Sequence, residues 1–235
     1  MRVGGLVARI ETVARSIRAD ISLLAKMRFS TLVVSGGMPR SGSTLLFNLI
    51  RTCLEYKYPD DLVSGWIGDT RSIPEGKVYL IKSHDVNRSL AYRANTYFYS
   101  FRDVRDALLS SQRKFGQEPT IEYCRYYIKG YMAAERYAHE MFKYEEFVHD
   151  LEGAVERIQS HLCMSAPTEA ILSRLPSLQP REKAAKGYDE TTLMHGEHAT
   201  HTKQGEWRTG LDKKLLDRIR DEYGWWLEKN EYSIY

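Results

Sequence analysis

Residues 31–50 run from a β-branched apolar stretch, Thr31-Leu32-Val33-Val34-Ser35, through a glycine-rich turn, Gly36-Gly37-Met38-Pro39-Arg40-Ser41-Gly42, into a helical apolar run, Leu45-Leu46-Phe47-Asn48-Leu49-Ile50. An uninterrupted apolar run bounded by glycine reads as a buried strand. A strand covered on both faces belongs in a parallel sheet flanked by helices. The same strand, turn and helix aim backbone N–H groups and the positive end of a helix at one point, which is the geometry of an anion site. One feature therefore constrains both the fold class and the charge of the ligand.

The rest of the chain repeats the alternation. Val78–Ile81 and Thr96–Phe101 read as further strands and 142–146 as a fourth, with helices expected at 103–115, 119–141, 151–163 and 211–229. Strands alternating with helices predict an α/β fold with a central parallel sheet flanked by helices. The 235 residues suit one domain. The stretch 176–210 has two prolines, several glycines and little periodicity, and so long an irregular segment in a domain of this size is functional or disordered.

Composition narrows the partners. Apolar residues at 43% and charged residues at 28% are those of a soluble protein with a core, and a net charge of +3 is too small to argue for nucleic acid. No run of about 18 apolar residues predicts a membrane span, and the N-terminus has no secretory signal pattern. Residues 1–28 are expected to form an N-terminal amphipathic helix ahead of the main domain, 29–235. Leu6, Ile10, Val13, Ile17, Ile21 and Leu24 fall at helical spacing among Arg9, Arg15, Arg18 and Lys26. Such a helix either packs its stripe on the domain or lies on a membrane surface as a peripheral contact. Cys53, Cys124 and Cys163 form no metal spacing and read as reduced core thiols, hence a cytoplasmic protein.

Gly37 and Gly42 have the spacing of the two glycines in GxxxxGK[ST], but the lysine position is Ser43, and the cation stands earlier, at Arg40. A triphosphate enzyme needs that lysine, so the loop predicts an anion other than a triphosphate. Three more elements qualify. Arg102 follows the strand 96–101 at the sheet edge where open α/β sheets bind ligands, and Ser110 lies two helical turns on, facing the same side. Guanidinium and hydroxyl together suit a phosphate monoester. Lys82 and His84 follow the strand 78–81 to the same edge, where a near-neutral histidine can take a proton and a lysine can stabilise a leaving oxyanion. The short connection before that strand carries Tyr58, Trp66 and Ile67 as acceptor-contacting candidates.

Pro39-Arg40-Ser41-Gly42-Ser43-Thr44-Leu45 resembles the 5′-phosphosulfate loop of the sulfotransferases that use 3′-phosphoadenosine-5′-phosphosulfate (PAPS), some of which have lysine at the position of Arg40. The segment from Tyr99 to Ser110 is similar to their 3′-phosphate segment, and Lys82-Ser83-His84 matches their lysine, hydroxyl residue and histidine. Gly205, Trp207 and Arg208 match a late glycine–tryptophan–cation element before the final helix. The arginine-lysine-glycine triplet of many cytosolic members is replaced by Thr200, His201 and Thr202, so Lys203, then Arg208, is the expected grip on the 3′-phosphate. The resemblance implies a P-loop-like topology and metal-independent in-line sulfuryl transfer with PAPS as co-substrate and PAP as product. His84 would be the base, with Lys82 and Arg40 on the leaving phosphate and Pro39, Ser41, Gly42, Ser43 and Thr44 lining the loop. It also implies a small-molecule, glycan or lipid-headgroup acceptor. Asp85, Asp69 and Glu55 are alternative bases. A nucleotide kinase or NTPase, and a non-catalytic PAP-binding protein, are the competing readings.

Overall fold

The computed structural model describes residues 30–69, 76–175, 188–194 and 203–234. The expected amphipathic helix of residues 1–28 and the stretch around Thr200 lie outside them. Five strands, β1 (Thr31–Gly37), β2 (Leu62–Trp66), β3 (Val78–Ser83), β4 (Thr96–Phe101) and β5 (Glu140–Lys143), form one sheet in the order β2-β3-β1-β4-β5. Every neighbouring pair is parallel, as the alternation of strands and helices requires. Helices α1 (Ser43–Lys57), α2 (Arg88–Arg93), α3 (Val104–Phe115), α4 (Ile121–Ala134), α5 (Tyr144–Phe147), α6 (Leu151–His161), α7 (Thr168–Leu172), α8 (Trp207–Gly210) and α9 (Lys213–Lys229) complete the described residues.

Strand side chains alternate between two covered faces. Leu32, Val34, Tyr79, Ile81, Tyr97 and Tyr99 pack beneath α3, α4 and α9, while Val33, Val78, Leu80 and Phe98 pack beneath α1 and α6. Burial on both sides is why β1 is apolar nearly throughout. Among the described residues no helix is long and apolar enough to cross a membrane.

Several expectations are corrected. The connection between α1 and β3 contains an edge strand, β2, whose Leu62-Val63-Ser64-Gly65-Trp66 pairs residue by residue with Val78–Lys82. Its serine and glycine are poor strand formers, so pairing rather than propensity makes the strand. The fourth expected strand, 142–146, lies instead at Glu140–Lys143, and Tyr144–Phe147 is a helical turn. The helix expected at 119–141 ends at Ala134, because the chain must turn to reach the β4 edge. Cys53 and Cys124 are buried, but Cys163 is exposed. It holds a left-handed φ of 48° just past the end of α6, a position that puts its side chain outside the core.

Candidate active site

The register aligns the strand ends. Ser35 pairs with Lys82, which pairs in turn with Trp66, and Gly37 pairs with Ser100. The connections leaving β1 and β4 depart toward opposite ends of the sheet, so a crevice opens between these strands at their C-terminal edge, where ligands of open α/β sheets bind. The glycine-rich loop, Lys82 to His84 and Arg102 all meet there.

The loop holds its shape by internal bonds. Ser41, fully buried, donates its hydroxyl to the Met38 carbonyl (2.7 Å) and lies 2.7 Å from the Ser100 hydroxyl. That hydroxyl braces the loop from within. The turn needs positive φ at Arg40 (65°) and Gly42 (72°). Gly42 serves as N-cap of α1 without a side-chain cap, so the first-turn amides of Ser43, Thr44 and Leu45, which have no helical carbonyl to reach, point toward the crevice. Gly37 admits no side chain, since a Cβ would stand 2.5 Å from both Ser100 Oγ and Ser43 Cβ. Gly37→Ala is expected to cost about 1–3 kcal/mol by overpacking, read as a lower urea midpoint at unchanged m-value.

Cations ring the loop. Val78, Leu80 and Lys82 share the α1 face of β3, so the Lys82 ammonium reaches α1 and donates to Thr44 Oγ1. It is 4% exposed, and burial, with the Arg40 guanidinium beside it, lowers its pKa from 10.5 to about 7. Arg40 donates from Nε to Ser110 Oγ at 2.9 Å, and burial and the nearby Arg102 lower its own pKa. Arg102, buried, lies over the Tyr144 ring at 4.4 Å. Closely spaced cations beside first-turn helix amides give the crevice a positive potential, which favours an anion.

His84 stands at the β3 end of this crevice. Its Nδ1 is 2.9 Å from the Gly37 carbonyl oxygen, and its ring packs 5.4 Å from that of Trp66. A carbonyl only accepts, so in the neutral ring Nδ1 carries the proton and Nε2 the lone pair. Burial, and next the Lys82 ammonium, push its pKa down to about 4, so the ring is neutral at pH 7. The alternative bases are placed differently. Asp85 is exposed and accepts from Tyr126 Oη at 2.5 Å. Asp69 accepts from Tyr188 Oη. Glu55 pairs with Arg51 near the far end of α1, about 18 Å along the helix from the loop at 1.5 Å per residue.

The late element docks on α3. Trp207 is buried, with the Arg105 guanidinium 3.6 Å and the Arg208 guanidinium 4.4 Å from its ring centroid. Arg105 is itself fixed by two contacts to the Asp103 carboxylate, at 2.9 and 2.7 Å. Lys203 and Arg208 are exposed. Of the expected acceptor contacts, Trp66 reaches His84, whereas Tyr58 packs in the core beneath α1 and Ile67 against that of the opposite face. Sequence reasoning missed Asp106 and Tyr144. Asp106 had a signal, since it lies four residues before Ser110 and so on the same face of that helix. Tyr144, distant in sequence from Arg102, had none.

No family model and no curated protein sequence matches the chain. Solved structures do. A mouse sulfotransferase, SULT7A1, crystallised with PAP, superposes with a TM-score of 0.60 at 15% identity, over 92% of this chain and 90% of that one. Retinol dehydratase in complex with retinol and PAP gives 0.56 at 16% identity, covering 92% and 85%. The chain has the sulfotransferase fold. A second retinol dehydratase structure, with androsterone and PAP, gives 0.52 at 16% identity, over 85% and 80%. At these identities the likeness establishes the fold alone.

Proposed function

We propose that the protein transfers a sulfuryl group from PAPS to a hydroxyl or amine acceptor. The observation that carries this reading is the convergence of Lys82, Arg40 and the α1 amides around one loop, with His84 neutral at the same sheet edge. The fold supports it, because each of these neighbours was crystallised with PAP.

The residues fit the nucleotide. The loop amides and the hydroxyls of Ser43 and Thr44 face a 5′-phosphosulfate, and Arg102 and Ser110 a 3′-phosphate. Bound PAPS supplies the sulfuryl group, whose bond to the bridging phosphate oxygen breaks as the acceptor oxygen or nitrogen bonds to sulfur. His84 takes the acceptor's proton at Nε2 while Gly37 holds Nδ1 and orients the ring. Lys82 and Arg40 stabilise the negative charge that grows on the departing oxygen, an interaction stronger in the transition state than before it. Arriving anionic phosphates raise the depressed pKa of Lys82, so the ammonium is secured when it is needed. The small molecules crystallised with retinol dehydratase, retinol and androsterone, favour a small-molecule acceptor over a glycan or lipid headgroup.

PAP in the absence of magnesium is expected to raise the thermal midpoint. At a hundredfold excess over Kd the gain is about 2.7 kcal/mol, on the order of 5–10 °C for a chain of this size. No shift at millimolar PAP, or a larger one with Mg-ATP, would replace this reading with the kinase one. Acceptor screening with labelled PAPS separates an enzyme from a non-catalytic PAP binder.

A further inference from the structure

Asp106 is fully buried in the first turn of α3, and both of its oxygens accept from a segment about a hundred residues away in the chain. The Gly205 amide donates to Oδ2 at 2.7 Å and the Trp207 amide to Oδ1 at 3.2 Å. Its place is unusual. Asp106 and Ser110 stand four residues apart on one face of α3, and Arg102, just ahead of that helix, acts electrostatically on Asp106, so a carboxylate stands beside the guanidinium and the hydroxyl assigned above to a phosphate. A bare carboxylate there would repel that phosphate. Two backbone donors disperse its charge, and they belong to the loop that carries Lys203 and Arg208. The same loop is gripped nearby by Arg105 on the Trp207 ring, by an Arg113–Glu206 ion pair, and by Leu109 and Leu211 packed against Trp207.

We propose that Asp106 is a positioning residue that docks the 203–208 loop on α3 and thereby brings the loop's cations to the anion subsite marked by Arg102 and Ser110. The inference rests on the sulfotransferase reading, and it predicts a specific defect. Asp106 should matter for a ligand's 3′-phosphate and not for the part of the ligand held by the glycine-rich loop.

The test compares PAP with adenosine 5′-monophosphate, which lacks the 3′-phosphate, by titration calorimetry on the full chain. Wild-type protein should bind PAP much more tightly. Asp106→Asn keeps the size but turns an amide NH2 toward one of the two backbone donors. It is expected to shrink the ratio of the two affinities by about tenfold, the scale of a lost hydrogen bond to a charged group, with monophosphate affinity unchanged within twofold. Gly205→Ala perturbs the same loop without altering α3. Gly205 has a φ of 81°, and a Cβ there would stand 2.6 Å from Arg208 Nη1. It should shift the ratio in the same direction and carries the test if Asp106→Asn does not fold. An unchanged ratio, including an equal loss of both affinities, overturns the inference alone. A wild-type protein that does not distinguish the two nucleotides overturns the sulfotransferase reading and this inference with it.

Discussion

Alanine in place of His84 is expected to lower kcat for sulfuryl transfer by roughly two to four orders of magnitude, the range of a lost general base, while PAP affinity stays within a few-fold. The two effects separate because the hydrogen bond of the ring to the glycine-rich loop goes to a backbone carbonyl, that of Gly37. In the proposed reaction its Nε2 is the group that deals with the acceptor. The depressed pKa fixes the pH dependence. A ring with pKa about 4 in the free protein is protonated, and useless as a base, only below that value. The acid limb of kcat/KM should therefore lie near pH 4, well below the usual histidine range, and disappear in His84→Ala. A variant that keeps more than a tenth of the wild-type rate would move the proton acceptor to a carboxylate, with the adjacent Asp85 the next to replace.

Lys82→Met is expected to move activity and stability in opposite directions. Loss of a preorganised cation from a developing oxyanion costs roughly 100- to 1,000-fold in kcat. The free protein, in contrast, should become more stable by on the order of 1–3 kcal/mol, because an apolar side chain of similar length replaces an ammonium that is costly to bury. The sign follows from the pKa. Folding lowers that of Lys82 from 10.5 to about 7, so the folded state disfavours the charged form. The penalty is full below pH 7 and fades as the pH rises toward 10.5, where the unfolded chain also loses the proton. The stability gained by Lys82→Met should thus be larger at pH 6 than at pH 9 in thermal or denaturant unfolding. The same titration governs binding. PAP favours the charged ammonium, so its affinity should fall as the pH rises above about 7, by up to about tenfold per unit. The phosphate monoester itself titrates near 6 and is then fully ionised. Lys82→Met should flatten that dependence. If the variant is both less stable and equally active, Lys82 is a core anchor for Thr44 and no part of the chemistry.

Tyr97, Tyr99 and Phe101 show why the central strands were legible in the sequence. Strands buried on both faces carry unbroken apolar runs, and such runs can be read without knowing their partners. The loop was legible for a related reason. Gly37 and Gly42 stand where a Cβ would clash, at 2.5 Å from Ser100 Oγ and at 2.8 Å from the Tyr144 ring, and Gly42 also has a φ of 72°. Elements at the margin of the sheet were less legible: β2 was missed, and β5 was expected at 142–146 rather than at Glu140–Lys143. Gly65, Glu140 and Lys143 have little strand preference, and these segments are strands because β3 and β4 offer unpaired edges to them.

The alternating α/β order, the glycine-rich turn and the side chains at the ends of three strands could be read from local burial and backbone geometry alone. What those side chains do to one another is set by tertiary packing. Arg40 lowers the pKa of Lys82, and Arg102 that of Arg40, although the three lie far apart in the chain, because the sheet and α1 bring them to one crevice. The Gly37 carbonyl selects the tautomer of His84, and Asp106 spends its charge on amides from the far end of the chain. Electrostatic energies depend on separation and desolvation, and neither is a property of position along the chain.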